Sequence, residues 1–234
     1  LFLCQFFHPE YISSAQLPFD TAKALAQAGF SVEVLCGEPK EYYHGPKVPK
    51  TETVEGITIH RLHYLQPDRS NPWGRVVNYF SFTLSVFLHL GSLRNYRCAL
   101  FYSNPPVLPW VASWAKKLFG CKLVFVAYDL YPELALRTGA LHTGSRVEKL
   151  MSHINKAVYP RLDRVVALSS EMKDFLQENR AIDRDHIAVI PNWYPDGGEP
   201  RRDLTGNRFA KDLGGKFVVS YFGNMGTVQD IDTI

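Results

Sequence analysis

Residues 1–36, LFLCQFFHPEYISSAQLPFDTAKALAQAGFSVEVLC, decide the fold. Leu1–Phe7 is an apolar run without helical spacing, which is typical of a strand buried on both faces. Leu17–Ala28 carries apolar residues at helical spacing and is followed by Gly29, a common helix stop. Ser31–Cys36 predicts the next strand. A strand, a helix and a strand within 36 residues form one right-handed βαβ unit of a parallel sheet.

The loop between this first strand and helix, His8–Ser14, is the first candidate for a binding site. In open parallel sheets, ligands bind outside the carboxyl ends of the strands, which is where this loop lies. Pro18 is expected in the first turn of the helix, where its missing N–H group costs no hydrogen bond. The loop therefore qualifies as a site by position alone.

The rest of the chain alternates between predicted strands and helices. A turn at Glu55-Gly56, after the long loop Glu38–Thr53, indicates a hairpin or an edge strand. The predicted strands are Ile57–Leu62, Cys98–Ser103, Lys122–Ala127, Arg164–Leu168 and Ile187–Ile190. The predicted helices are Val76–Leu90, Leu108–Phe119, Arg146–Tyr159 and a helix that Ser169-Ser170 caps and that ends near Asn179. This alternation predicts the α/β class with a doubly wound parallel sheet.

The composition changes at residue 194 and predicts a domain boundary there. Residues 1–193 hold enough strands and helices for a complete domain, and residues 194–213 are rich in glycine and proline, as interdomain linkers are. Residues 214–234 are expected to start a second domain, with Lys216–Phe222 as a fresh buried strand. The chain begins inside a strand without an initiator methionine, so we expect trimming at that end.

The composition also limits the classes of function. The net charge of +3 is too weak to indicate a nucleic-acid partner. No secretory signal is visible, and the four cysteines form no CxxC pair, so we expect reduced core thiols in a cytosolic protein. The eight histidines show no HxH or HExxH spacing, and we therefore propose no metal site. The cysteines are Cys4, Cys36, Cys98 and Cys121.

Val76–Leu90 is the most hydrophobic segment and has two interpretations. It is too short, and too often interrupted by polar residues, to span a bilayer of about 30 Å. It is either a helix buried against the sheet or a face that contacts lipid, helped by nearby arginines. The arginines are Arg69, Arg75, Arg94 and Arg97.

Several polar residues follow predicted strands and could carry chemistry. Asp129 stands just past a buried strand, where its carboxylate could orient a substrate hydroxyl or act as a base. It could equally cap the following turn. Glu133 lies four residues further on, with Pro132 between them arguing against a regular helix. For His8 and Glu10, too, substrate contact and an ordinary loop position remain open.

The turn Gly223–Gly226 joins the predicted strand of the second domain to a possible helix start. Glycines there let the backbone approach an anion, and a helix N-terminus offers free N–H groups. Glycine at such a turn also serves backbone geometry alone. The first strand is not followed by GxGxxG, which counts against a dinucleotide-dependent oxidoreductase.

Four motifs in order resemble those of GT-B glycosyltransferases of family 4. The first combines Phe6-Phe7-His8-Pro9-Glu10 and Ala15 with the pattern Leu-Ala-x-x-Gly-x-x-Val-x-Val at residues 25–34. The others are Asp129-Leu130-Tyr131-Pro132-Glu133, Val189-Ile190-Pro191-Asn192-Trp193 and Tyr221-Phe222-Gly223-Asn224-Met225-Gly226. The resemblance covers the whole chain. It is strongest to the subgroup that builds bacterial surface polysaccharides, such as colanic-acid and O-antigen sugar transferases.

The resemblance implies two Rossmann-like domains that face each other across a cleft, with the acceptor on the first and a nucleotide-sugar donor on the second. It implies retaining sugar transfer to a glycan or lipid-linked glycan without metal or cofactor, because helix dipole and basic side chains stabilise the leaving diphosphate. The implied acceptor-binding residues are His8, Glu10, Tyr11, Tyr128 and Glu133. The implied donor-binding residues are Ser13, Ser14, Asn192, Gly223, Asn224, Met225 and Gly226.

The chain departs from the family pattern at two positions. The family commonly has two glycines where this chain has Ser13-Ser14, which leaves the backbone less free to approach a phosphate. The residue before the acidic one is often histidine in relatives, and here it is Tyr128. A histidine base is therefore absent at that position, and Asp129 becomes the expected catalytic residue.

The leading hypothesis is a cytoplasmic glycosyltransferase, peripheral at the inner membrane face if the hydrophobic segment contacts lipid. A non-catalytic nucleotide- or partner-binding module and a sugar-nucleotide epimerase of the same fold are the alternatives. The second domain is expected to be truncated in residues 214–234. By itself the chain is therefore expected to fold, to bind nucleotide-sugars only in the millimolar range or weaker, about 4 kcal/mol, and not to catalyse.

Overall fold

The computed structural model describes residues 1–40, 42–67, 71–193, 213 and 217–221. Over these residues, strands and helices alternate along the chain. The strands are β1 (Phe2–Leu3), β2 (Val32–Gly37), β3 (Thr51–Val54), β4 (Ile57–Leu62), β5 (Cys98–Tyr102), β6 (Lys122–Ala127), β7 (Arg164–Ala167) and β8 (Ile187–Val189). The α-helices are α1 (Ser13–Gln27), α2 (Pro72–Leu88), α3 (Leu108–Phe119), α4 (Glu133–Arg137), α5 (Arg146–Val158) and α6 (Ser170–Arg180). Short 3-10 helices cover Leu90–Asn95, Tyr159–Arg161 and Arg184–His186.

The strands form one sheet in the order β3-β4-β2-β1-β5-β6-β7-β8 within the described residues. All neighbouring pairs are parallel except β3 and β4, which form an antiparallel hairpin around Glu55-Gly56. Glu55 and Gly56 both have positive φ, as a tight turn requires. The α/β class, the parallel sheet and the edge hairpin are therefore confirmed. The prediction of a loop over Glu38–Thr53 is wrong at its end, because the residues from Thr51 onward form β3 and pair with β4.

Apolar side chains pack on both faces of the sheet. On one face, Phe82 of α2 and Leu108 of α3 are fully buried in a cluster that also includes residues of α5 and α6. On the other face, Ala22 of α1 packs among the alternate residues of β1, β2 and β4. The sheet is therefore doubly wound, as predicted. Cys98 corrects the prediction of core thiols: it is exposed, whereas the other three cysteines are buried and all four are free.

The first strand is shorter than the apolar run that predicts it. β1 ends at Leu3, although Cys4–Phe7 remains buried. Beyond β1 the contact with β2 continues only as single hydrogen bonds, from the Cys4 N–H to the Leu35 carbonyl and from the Gly37 N–H to the Gln5 carbonyl. The prediction from the apolar run is therefore correct for burial and wrong for the length of the strand. The length depends on how far the neighbouring strands continue to pair with β1.

Helix α1 begins at Ser13, earlier than predicted. Ile12 is the extended N-cap residue, and its carbonyl accepts hydrogen bonds from the N–H groups of Ala15 and Gln16, both at 2.9 Å. Pro18 therefore lies inside the helix rather than in its first turn, which leaves the carbonyl four residues earlier without a helical donor. Gly29, with φ of +89°, ends the helix as predicted.

The hydrophobic segment is helix α2, which has a buried face and an exposed apolar face. The Asn71 side chain caps it by accepting a hydrogen bond from the Trp73 N–H at 3.0 Å. Phe82 and Val86 are fully buried, so the predicted packing on the sheet is confirmed. In the parts of the chain that the structure describes, no helix is long and apolar enough to cross a membrane. Lipid contact stays a prediction.

The chain divides into two compact units, Leu1–Asn192 and Trp193–Ile234. The first unit contains the whole sheet described above. Most of the predicted linker and the turn Gly223–Gly226 lie outside the described residues. The prediction of a buried strand at Lys216–Phe222 is wrong for its described part, because Phe217–Tyr221 forms no strand and is exposed. A strand needs a neighbouring strand with which to pair, and the described sheet does not include residues 217–221.

Candidate active site

The candidate site lies where the order of strands reverses. From β1 the chain continues to β2 on one side, and it later returns to β5 on the other side. In doubly wound sheets, ligands bind at this switch point, outside the carboxyl ends of the strands. The neighbouring strands β1, β5 and β6 are each followed by a loop that contains a cis peptide bond before proline. These bonds are His8-Pro9, Asn104-Pro105 and Tyr131-Pro132.

Asp129 lies in the loop after β6 and borders a small pocket. The pocket is also lined by Ser103, Phe125, Tyr131, Asn155 and Tyr159. The Asp129 backbone N–H donates a hydrogen bond to the Ser103 hydroxyl at 2.9 Å. Its carboxylate has no hydrogen bond or ion pair with any described residue, and burial raises the pKa of this carboxyl. A half-buried carboxylate without a counter-charge is suited to accept a proton or a hydrogen bond from a substrate hydroxyl.

Two long side chains hold the loop that carries Asp129. The Asn155 amide nitrogen donates to the Tyr131 carbonyl at 2.6 Å, and Arg180 contacts the same oxygen at 3.4 Å. Arg180 also lies 2.6 Å from each carboxylate oxygen of Glu133 and packs over the Tyr159 ring. Helices α5 and α6 thus fix the backbone on which Asp129 stands. Glu133 is engaged in an ion pair, and its assignment to the acceptor stays a prediction.

The loop after β1 is anchored by Arg61, a buried arginine of β4. Its guanidinium donates to the carbonyls of His8 and Pro49, each at 2.9 Å, and pairs with Glu52. The His8 ring stacks on Phe19 at 4.8 Å, and burial lowers the pKa of His8, which favours the neutral ring. The sequence places the loop correctly, but it gives no sign that Arg61 holds it.

The other residues assigned to the acceptor occupy contrasting surroundings. Glu10 is only 5% exposed, and its charge contributes to raising the pKa of the buried thiols of Cys4 and Cys36, for which burial is the main cause. Tyr11, by contrast, is 84% exposed. The Tyr128 ring packs against that of Tyr102 at 5.1 Å, and burial raises the pKa of its hydroxyl. Tyr11 and Tyr128 are therefore accessible in part, whereas Glu10 faces the interior.

The N-terminus of α1 has backbone N–H groups and a helix dipole that would favour an anion. Ser13 and Ser14 are its first residues, and their backbone N–H groups donate no hydrogen bond to any described residue. No acidic side chain lies in the first turn, so the positive end of the helix dipole is not neutralised there. Asn192 is exposed beyond β8. The remaining residues assigned to the donor, Gly223, Asn224, Met225 and Gly226, lie outside the described residues.

Sequence reasoning did not identify several residues of the site. Ser103 is the last residue of the predicted strand Cys98–Ser103 and directly follows the observed β5, so the strand-end rule that selects Asp129 could also have found it. Asn155 and Arg180 belong to helices distant in sequence, and Arg61 reads as one polar residue of an alternating strand. Nothing local marks these three residues, because their role depends on contacts across the fold.

Comparison with known proteins identifies relatives of the chain. The family described as "Glycosyl transferase 4-like domain" matches residues 19–193. The "Probable glycosyltransferase WbjE" of Pseudomonas aeruginosa is 27% identical over 138 residues, which are 56% of this chain and 33% of that protein. This chain therefore spans about a third of that relative.

Two solved structures have a similar fold. Sucrose-phosphate synthase from Thermosynechococcus elongatus gives a TM-score of 0.52 at 13% identity, covering 82% of this chain and 90% of that chain. Anabaena HepE, in complex with UDP and glucose, gives a TM-score of 0.51 at 12% identity, covering 91% of this chain and 49% of that chain. These likenesses confirm the expected GT-B type of Rossmann-like fold.

Proposed function

This chain belongs to the glycosyl transferase 4-like domain family, and we propose that it supplies the acceptor-side domain of a retaining glycosyltransferase. The enzyme moves a sugar from a nucleotide-sugar to a glycan or lipid-linked glycan during synthesis of a surface polysaccharide. The likeness to a glycosyltransferase of Pseudomonas aeruginosa supports the reaction class. In this proposal residues 1–193 form the first domain, residues 194–213 the linker and residues 214–234 the start of the donor domain.

The observation that carries the proposal is the half-buried carboxylate of Asp129, which pairs with no described residue and lies past the carboxyl end of β6, beside the strand β5 that borders the switch point. An acceptor hydroxyl in the adjoining pocket donates its hydrogen bond to Asp129, which orients the oxygen toward the sugar. The acceptor oxygen then bonds to the anomeric carbon on the face from which the phosphate oxygen leaves. The bond from that carbon to the phosphate oxygen breaks at the same time, and the configuration at that carbon is retained. The diphosphate leaves with the electron pair, and Asp129 takes the proton. The raised pKa of Asp129 makes it a stronger base than an ordinary carboxylate.

The donor side is supported by the N-terminus of α1. The free N–H groups of Ser13 and Ser14 suit a diphosphate, whose charge the helix dipole stabilises as the leaving group departs. The complex of Anabaena HepE with UDP and glucose supports a nucleotide-sugar as donor. The four free cysteines support a reducing, cytoplasmic location, at the inner face of the membrane where a lipid-linked acceptor is reached.

The test measures nucleoside diphosphate release by a form of the protein that carries both Rossmann-like domains. A panel of nucleotide-sugars is offered with and without glycan acceptors, for the unmodified protein and for Asp129→Asn. Asp185→Asn, which removes an exposed carboxylate of a 3-10 helix, is the matched control. Acceptor-dependent release that is lost only in Asp129→Asn supports the proposal.

Two outcomes would favour the alternatives. An epimerase converts the sugar without acceptor and without net release of diphosphate. A binding module binds a nucleotide in calorimetry but turns over no donor. Either result contradicts the proposed transfer.

A further inference from the structure

Helix α2 presents an exposed face that is wholly apolar. At about 100° per residue, its exposed large side chains fall within an arc of about 120°, and each α2 residue in this arc is apolar. They are 40% to 76% exposed, on the side opposite the buried Phe82. We call this set the α2 outer face. Its members are Trp73, Val76, Val77, Phe80, Leu84, Phe87 and Leu88.

The core of the first unit contains the opposite, buried side of α2 and not this face. A surface helix of a globular domain normally has polar residues opposite its buried stripe. Here the buried stripe already packs on the sheet through Phe82 and Val86. A contiguous apolar surface of this kind marks a site of interaction with another protein or with a membrane.

The stretch of sequence that contains α2 is basic, which favours an anionic partner. Residues 69–128, which contain α2, have no aspartate or glutamate, although the whole chain has 23. The same 60 residues have seven arginines and lysines. Arg94 and Arg97, which follow α2 closely, are exposed. The basic residues are Arg69, Arg75, Arg94, Arg97, Lys116, Lys117 and Lys122, and of these Lys116 and Lys122 pair with Asp163.

We propose that the α2 outer face docks on an anionic lipid bilayer, with the helix lying in the plane of the membrane interface. From Trp73 to Leu88 the helix rises about 22 Å, less than the bilayer core of about 30 Å, so it lies on the membrane rather than across it. Apolar side chains enter the boundary with the acyl chains while nearby arginines meet anionic headgroups. A second copy of the chain fits this face less well, because pairing would bring two basic surfaces together.

This inference rests on the proposed function only for the location of the protein at the membrane. Vesicle binding can be measured without sugar transfer, so the two proposals can fail separately. The test is flotation of the purified protein with vesicles rich in phosphatidylglycerol and with vesicles of phosphatidylcholine alone. We expect binding to the anionic vesicles, weakened by added salt, which screens the arginines. The double variant Phe80→Ser/Leu84→Ser should bind about tenfold more weakly, and Arg94→Gln about fivefold more weakly.

Phe30→Ser is the matched control, because Phe30 is an exposed phenylalanine outside α2, and it should leave binding unchanged. Absence of binding at low salt, or equal binding by the double variant, would overturn the inference. Two further results would also overturn it. One is a dimer of the unmodified protein that is lost in the double variant, without vesicle binding by either form. The other is equal affinity for neutral and anionic vesicles. Transfer to a soluble acceptor should persist in the double variant. Vesicle binding without transfer in any form would contradict the proposed function and leave this inference standing.

Discussion

One nitrogen of the Arg180 guanidinium lies 2.6 Å from each carboxylate oxygen of Glu133, and this contact joins the end of α6 to the start of α4. The arginine side chain is only 10% exposed and also packs over the rings of Tyr159 and Phe175. Because the same guanidinium contacts the Tyr131 carbonyl, the ion pair braces the turn that follows Asp129. Glu133 therefore helps, through Arg180, to hold the loop that carries Asp129.

Replacing Arg180 by methionine tests this bracing. The change keeps apolar contact but leaves Glu133 without its cation, and we expect the free energy of unfolding to fall by about 3 kcal/mol. Arg184→Met is the control, because Arg184 pairs with Asp174 on the exposed surface, where the loss should be about 0.5 kcal/mol. Denaturant titration measures both. Equal losses in the two variants would show that the Arg180 pair has no special structural role.

In a form of the protein that carries both Rossmann-like domains, Asp129→Asn should reduce turnover by at least about 100-fold without loss of stability. Burial raises the pKa of Asp129, so the folded state binds this proton more tightly than the unfolded state. Ionisation then lowers stability as the pH rises above the unfolded pKa of about 3.9. The variant should melt at the same or a higher temperature at neutral pH, and the difference should vanish in acid. Thermal melts over pH and initial rates measure these effects, and a less stable variant would indicate a structural cap.

Arg61→Met should destabilise the protein and loosen the loop after β1. It removes donors from the carbonyls of His8 and Pro49 and leaves Glu52 unpaired, which we expect to cost about 3 kcal/mol. If this loop closes over the donor, KM for the nucleotide-sugar should rise more than kcat falls. Lys23→Met, which breaks an exposed pair with Glu55, is the control and should cost about 0.5 kcal/mol. An unchanged KM would separate the loop from the donor.

Gly37→Ala should destabilise the junction of β2 with the first loop. A Cβ atom there would lie 2.5 Å from the Tyr64 ring and 2.9 Å from the Gln5 carbonyl oxygen, so both must shift. We expect a loss of about 2 kcal/mol in the free energy of unfolding. Gly91→Ala, where the Cβ would meet no atom within 4 Å, should change stability by less than about 0.5 kcal/mol. A similar effect of both variants would place the cause in the unfolded chain.

Residues that start or stop a helix or strand were enough to predict the limits of the elements that they flank. Strand β6 and helix α3 have the predicted limits, since Pro109 opens the helix and Gly120, with φ of +70°, closes it. The length of β1 could not be predicted, because it depends on how far β2 and β5 remain alongside. The exposed apolar face of α2 was likewise ambiguous, since hydrophobicity alone does not say which side meets the sheet.

The same distinction applies to the site. Asp129 was found because a strand-end position is local information. Arg61, Asn155 and Arg180 instead contact the loops of the site at His8, Tyr131 and Glu133, which lie 24 to 53 residues away from them in the sequence. A single sequence carries no mark of such contacts. The assignments to acceptor and donor follow from the family resemblance and stay predictions.

The pairing of β1 also affects how the chain folds during its synthesis. Phe2 pairs with Val34 on one side and with Leu100, 98 positions after it, on the other. At about 5–20 residues per second, the ribosome delivers this second partner roughly 5–20 s after β1. Throughout that interval the central strand of the sheet has one edge of unpaired backbone groups available for incorrect pairing. Chaperones that hold nascent apolar strands should therefore matter most for this protein before residue 100 has been made.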